Sequence, residues 1–166
     1  DPYYDGPIID SHFHITPRRY KGDTESAVED LFEALSYDDV INIIEMPTPN
    51  DTKSNQRKRL LTLDIIKKVD SGNWFKSFCE PTGLPHLYMS GASNRELDAA
   101  LERLSVALED NSCIGIGEFG PYHFAKTRKQ HVIVMPLTFN PFLKMLSMIE
   151  DSGKYLVLHM EPMDSD

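Results

Sequence analysis

The chain has 166 residues, 40% hydrophobic and 26% charged, the balance of an ordinary globular domain with length enough for a substantial core. A net charge of −9 at pH 7 disfavours a broad nucleic-acid surface, which needs a basic face, but leaves room for a phosphate-bearing substrate drawn in by a metal. No apolar run approaches the ~20 residues that span a bilayer, and two cysteines, Cys79 and Cys113, make no disulfide framework, so the reading is one domain, 1–166, in a reducing cytoplasm.

Strand and helix signals alternate along the chain. Ile8 to Phe13 reads as the first strand. Asp23 and Thr24 can cap a helix whose apolar stripe is Ala27, Val28, Leu31, Phe32 and Leu35. Val40 to Met46 is the second strand, stopped by Pro47 and Pro49. Asp51 or Thr52 opens a helix with Leu60, Leu61, Ile65, Ile66 and Val69 on its face and Gly72 at its end. A linker with Trp74, Phe75 and Phe78 follows, and Leu84 to Met89 is expected as the third strand. Ser93 to Glu96 fits a capping box for the helix carrying Leu97, Leu101, Leu104 and Leu108. Ile114 to Gly117 is the fourth strand, with Cys113 read as core. Pro121 to Thr138 reads as an irregular loop in which Val132 to Met135 is a short extra strand or a buried loop. Asn140 and Pro141 pair an N-cap with a proline at the first helical position, and the helix runs over Phe142, Leu146 and Ile149 to Gly153. Tyr155 to His159 is the fifth strand. Continuous apolar strands spaced by helices argue for a parallel α/β sheet covered on both faces.

Three of these strands end in a metal-ligand side chain. His12 and His14 lie two apart, so alternation points both imidazoles to one face, with Asp10 one step deeper where it could orient a ring. Glu118 follows Gly117, and His159 closes the fifth strand. In a parallel α/β fold the carboxyl ends of the strands meet at one face, so His12, His14, Glu118 and His159 are expected to converge on a divalent cation. His123 is a loop histidine, and Glu161 lies two residues past His159, on the same side if the strand continues. Glu45 reads as a solvated charge before a loop, His86 faces the wrong end of its strand, and His131 has no supporting context.

Asp-x-His-x-His at 10–14, Gly-Glu-x-Gly at 117–120 and the histidine at 159 resemble the amidohydrolase superfamily, closest to its TatD-like metal-dependent hydrolases. The resemblance implies a (β/α)₈ TIM-barrel type fold, of which this chain supplies only the first five βα units, and a hydrolase with one or two divalent ions, Zn²⁺ first and Mg²⁺ or Mn²⁺ otherwise. It further implies that His12 and His14 hold the more buried ion, Glu118 bridges two ions, His159 binds the second and Asp10 supports them. The later strand-six histidine and strand-eight aspartate of such barrels have no counterpart, and Asp164 and Asp166 read as a solvated tail, so the chain is expected to be the N-terminal portion of a longer one. Gly120-Pro121-Tyr122-His123 departs from the usual continuation of the family motif.

The implied chemistry is a metal-activated water acting on an ester, lactone, amide or phosphoester. Glu118 and His123 are the candidate catalytic groups, with His123 the acid of the loop, and Tyr122 and Glu161 are assigned to the small-molecule substrate. Two other readings carry the same ligands: a non-catalytic truncated barrel or subunit completed by a partner chain, a homo-oligomer included, and a TatD-like DNase, against which the acidic charge and missing basic–aromatic stripe count.

Overall fold

The computed structural model of the chain describes residues 6–15, 24–37, 40–47, 53–70, 75–79, 83–123 and 132–161. Asp23, Pro49, Asp51, Thr52, Gly72, Trp74, His131, Asp164 and Asp166 lie outside them, as does the side chain of Ala27. The described residues divide into two units, one within Asp1–Pro47 and Asp51–Ser77, the other within Phe78–Asp166.

In the first unit, β1 (Ile8–Phe13), β2 (Val40–Glu45) and the start of β3 (Phe75–Cys79) pair in parallel, Ile8 with Val40 and Glu45 with Ser77 among the partners. The helices α1 (Thr24–Tyr37) and α2 (Lys53–Val69) supply the crossovers that parallel pairing requires. Ile15, Val28, Ile43, Leu63, Ile66 and Phe75 form the core, with Phe32, Leu35 and Ile65 packed against it. Covered strand faces were expected throughout, yet Ile8 and Ile9 of β1 and Ile41 of β2 are exposed.

The buried face of α2 is turned from the expected one. Leu60, Leu61 and Val69 are exposed, while Arg59, Thr62, Leu63 and Ile66 are buried. The cause is a charge. Glu45, read as solvated, is fully buried and accepts from Arg59 Nε at 2.6 Å, from Arg59 Nη2 and from Ser77 Oγ at 2.7 Å, and Arg59 Nη2 also donates to Ser77 Oγ at 3.1 Å. A bidentate guanidinium–carboxylate pair satisfies both ions, so Arg59 joins the inward face and takes its helical neighbours with it.

In the second unit, β4 (Cys113–His123) pairs in parallel with β6 (Tyr155–Met160) and antiparallel with the two-residue β5 (Ile133–Val134). Helices α3 (Leu84–Met89), α4 (Asn94–Glu109) and α5 (Asn140–Ser152) complete it. Leu97, Ala100, Leu101, Leu104 and Leu108 of α4 and Phe142, Met145 and Ile149 of α5 bury against Ile116 and Phe119 of β4. Phe119 and Phe142 stack with centroids 5.4 Å apart.

Several expected elements change here. Leu84 to Met89 is a helix, because Gly83 takes a left-handed N-cap (φ 70°) and Pro85 sits in the first turn, where a missing N–H costs nothing. His86 therefore lies exposed on a helix. The third strand is instead Phe75–Cys79, the stretch read as a linker. A six-residue run carries no period long enough to separate helix from strand. Val132 to Met135 resolves as the short strand β5, and β4 runs on through Pro121 to His123 where a loop was expected. Asn140 is the first helical residue of α5 with Phe139 as its N-cap, one place away from expectation. Cys79 and Cys113, read as unpaired, form a disulfide between the end of β3 and the start of β4. Their 34-residue separation says nothing about strand proximity.

Within the two units every described strand pair except β4–β5 is parallel, so the fold is mixed α/β with parallel pairing dominant. No described helix is long and apolar enough to cross a membrane.

Removing one partner of a buried ion pair strands the other. Arg59→Met is expected to cost about 3–5 kcal/mol in urea denaturation, whereas Glu45→Met with Arg59→Met recovers most of that loss. At α4, Ser93 Oγ accepts from the Glu96 amide at 3.4 Å and Glu96 Oε2 accepts from the Ser93 amide at 2.8 Å and its hydroxyl at 2.7 Å. These bonds, the hydroxyl's first, hold the Glu96 carboxyl below its ordinary 4.5. A depressed carboxylate stabilises above its unfolded value and loses that contribution as pH falls through the folded one. Ser93→Ala is expected to cost about 1 kcal/mol at pH 7, and the deficit should narrow in melts taken progressively below pH 4.5.

Candidate metal centre

The four expected ligands divide between the units, His12 and His14 in the first, Glu118 and His159 in the second. In the first unit, His12 is the fifth residue of β1 and His14 follows the strand end. Alternation brings their Nε2 atoms to 2.9 Å, with the rings at 79°. His14 Nδ1 donates to the Met46 carbonyl at 2.8 Å, so Nε2 carries the lone pair of the neutral ring and accepts in its contact with His12. Asp10 Oδ1 accepts from the backbone N–H of His12 at 3.0 Å, a bond that shapes the strand end.

In the second unit, the site is built on a strand irregularity. Ile116 pairs with Leu156 and Phe119 with Leu158, three residues of β4 against two of β6. The extra residue falls at Gly117 and Glu118, and bulges of this kind re-aim side chains. Ile116 and Phe119 both stay in the core although they are three apart, so Glu118 turns away from it, toward β6. There His159 Nδ1 donates to Glu118 Oε1 at 2.9 Å, with the Glu118 side chain 6% exposed and that of His159 34%. A second register shift between Phe119 and Tyr122 spans Gly120 and Pro121, where a strand tolerates proline.

That shift lets β4 reach His123. It was read as a loop histidine, yet it ends the strand, pairs with Ile133 and is only 12% exposed at its side chain. Glu161, two residues beyond His159 on the same side, donates its backbone N–H to the Tyr122 carbonyl at 3.3 Å. Its Oε1 lies 3.5 Å from His123 Nδ1 and 3.9 Å from His159 Nε2. Tyr122 itself is half-buried, held through its backbone to β5 and Glu161. Two imidazoles and two carboxylates thus gather where β4 and β6 end.

Sequence reasoning placed Glu118 and His159 as ligand types and offered His123 as a catalytic group, but set it in a loop rather than at the end of β4. The signal against it was Pro121, which hid the continuation of the strand. It also missed the Glu45–Arg59 pair, whose partners lie 14 residues apart with no local pattern joining them.

The fold and the cluster define an α/β protein with a histidine–carboxylate centre at its strand ends. No protein-family model, curated protein or solved structure matches the chain. The amidohydrolase-like resemblance therefore stands on the motif residues alone.

The centre depends on a close approach of β4 to β6. A Cβ at Gly115 would meet the Tyr155 carbonyl oxygen directly and Phe78 Cε1 at 2.8 Å, and one at Gly117 would meet Val157 Cβ at 3.0 Å. Backbone cannot give way as a flexible side chain can, so Gly115→Ala is expected to cost about 1–3 kcal/mol. Thermal melts should show that loss, and should show the milder contacts at Gly117 making Gly117→Ala the smaller one.

Proposed function

We propose that the chain is a metal-dependent hydrolase acting on a small-molecule ester, lactone, amide or phosphoester. What carries this reading is the hydrogen bond between His159 and the buried Glu118 at the ends of two adjacent parallel strands. A histidine that gives one ring proton to a carboxylate presents its other nitrogen as a ligand in a fixed tautomer. The donor chemistry fits a divalent ion in each unit: His12 and His14 through Nε2 in the first, His159 and its polar neighbours in the second. A divalent ion supplies Lewis acidity and lowers the pKa of a bound water toward ~7.

The chain's own residues do the rest. Glu118 holds the Nδ1 proton of His159 and keeps the ring from turning. The Met46 carbonyl does the same for His14. The low exposure of Glu118, His123 and Glu161 limits water around the cluster, and a drier surrounding strengthens every charge interaction there.

The test is turnover. The full chain, stripped with chelator and reloaded with Zn²⁺, Mn²⁺ or Mg²⁺, is expected to hydrolyse at least one of chromogenic carboxylic esters, lactones, amides and phosphoesters. Activity should vanish on chelation and drop at least about 100-fold in His159→Ala. No metal-dependent turnover on any of these classes sinks the reading.

A further inference from the structure

We propose that His123 Nδ1, His159 Nε2 and Glu161 Oε1 form a three-ligand divalent-metal site within the second unit, suited to Zn²⁺, and that Glu118 acts through His159 as a positioning residue. This differs from the set implied by the family resemblance, in which Glu118 bridges ions and neither His123 nor Glu161 is a ligand. The use of the ion in catalysis rests on the hydrolase reading; its binding does not.

Three observations carry it. The three atoms lie within 4.8 Å of one another, with Glu161 Oε1 3.5 Å from His123 Nδ1 and 3.9 Å from His159 Nε2. A tetrahedral ion with bonds of about 2.0–2.1 Å keeps its ligand atoms about 3.3–3.4 Å apart, so the His123–Glu161 edge already fits, and the other two edges, 3.9 Å and at most 4.8 Å, shorten as the triangle closes on an ion. Next, His123 Nδ1 is a buried polar atom with no hydrogen-bond partner among the described residues. A buried nitrogen in that condition is destabilising unless something satisfies it, and a cation held by Glu161 does. Last, the Glu118 bond occupies His159 Nδ1, so the neutral ring directs its Nε2 lone pair to the Glu161 side.

The scaffold is pre-set for this. His159 and Glu161 alternate onto one side of the β6 line, His123 is pinned by its pairing to Ile133, and the Glu161 amide is tied to the Tyr122 carbonyl. Two imidazoles and one carboxylate favour Zn²⁺ over Mg²⁺ or Ca²⁺, which prefer all-oxygen shells. Three protein ligands leave the fourth tetrahedral position to water, the arrangement of a catalytic zinc site.

The experiment measures metal, not turnover. The full chain is stripped with chelator and titrated with Zn²⁺ by calorimetry, and with Co²⁺ by visible absorption as a report of tetrahedral coordination. One ion is expected to remain bound in the His12→Ala, His14→Ala double variant. His123→Ala and the near-isosteric Glu161→Gln should each weaken it at least about 100-fold, and Glu118→Gln about 10–100-fold with the Co²⁺ spectrum keeping its form. Zn²⁺ affinity unchanged by both His123→Ala and Glu161→Gln overturns the proposal. Should a variant fail to fold, the unaltered chain decides: Zn²⁺ must shift the imidazole resonances of His123 and His159, and their staying in place overturns it equally. An ion bound here without hydrolysis removes the hydrolase reading and leaves the site; hydrolysis with no ion here does the reverse.

Discussion

The contact between β4 and β6 governs the second unit. Gly115 lies so close to the Tyr155 backbone that no side chain fits between them, and three positions on, the strand inserts an extra residue. The first feature draws the two strands together; the second turns Glu118 out of the core and onto His159. A regular strand would have alternated Glu118 onto the face of Ile116, among the leucines of α4, where an ionised carboxylate has no partner. The irregularity is therefore what permits an acid inside an apolar strand.

Two buried carboxylates make an instructive pair. Glu45 and Glu118 are each almost wholly removed from water. Glu45 meets a guanidinium that cannot lose its charge, and a hydroxyl supports both, so that every oxygen is satisfied. Such a group holds β2, β3 and α2 of the first unit in register and offers nothing to a ligand. Glu118 meets an imidazole, whose second nitrogen carries the lone pair of the neutral ring and faces Glu161 Oε1 at 3.9 Å. The difference in partner separates a structural acid from one that equips a site.

Glu118, His123 and His159 of the cluster lie on strands, and Glu161 follows the end of β6 directly. Strand positions are fixed by ladder hydrogen bonds, so these side chains are held in place without a long loop between them. Tyr122 shows how economical this is: its backbone pairs with β5 and with Glu161, holding neighbours on both sides of His123.

Much of this was legible in the residues alone. Periodicity located α1, α4 and α5 and the strands at Ile8, Val40, Cys113 and Tyr155, because those segments are long or sharply bounded. His12 and His14 were bound to share a side, since alternation is a property of the strand itself. The capping box at Ser93 was equally local. Other features depended on partners distant in sequence. Nothing near Glu45 announces Arg59, so a buried ion read as a solvated one and the face of α2 was assigned a turn away. Phe75 to Cys79 and Leu84 to Met89 exchanged roles, because short apolar runs lack a period and Gly83 with Pro85 decides only in context. His123 was read on a loop because Pro121 hid the continuation of β4. Local sequence determined which residues could be ligands and which segments could be strands; tertiary structure decided which ligands meet, because the register between β4 and β6, set by backbone packing at Gly115 and by one inserted residue, leaves no mark in the order of the side chains.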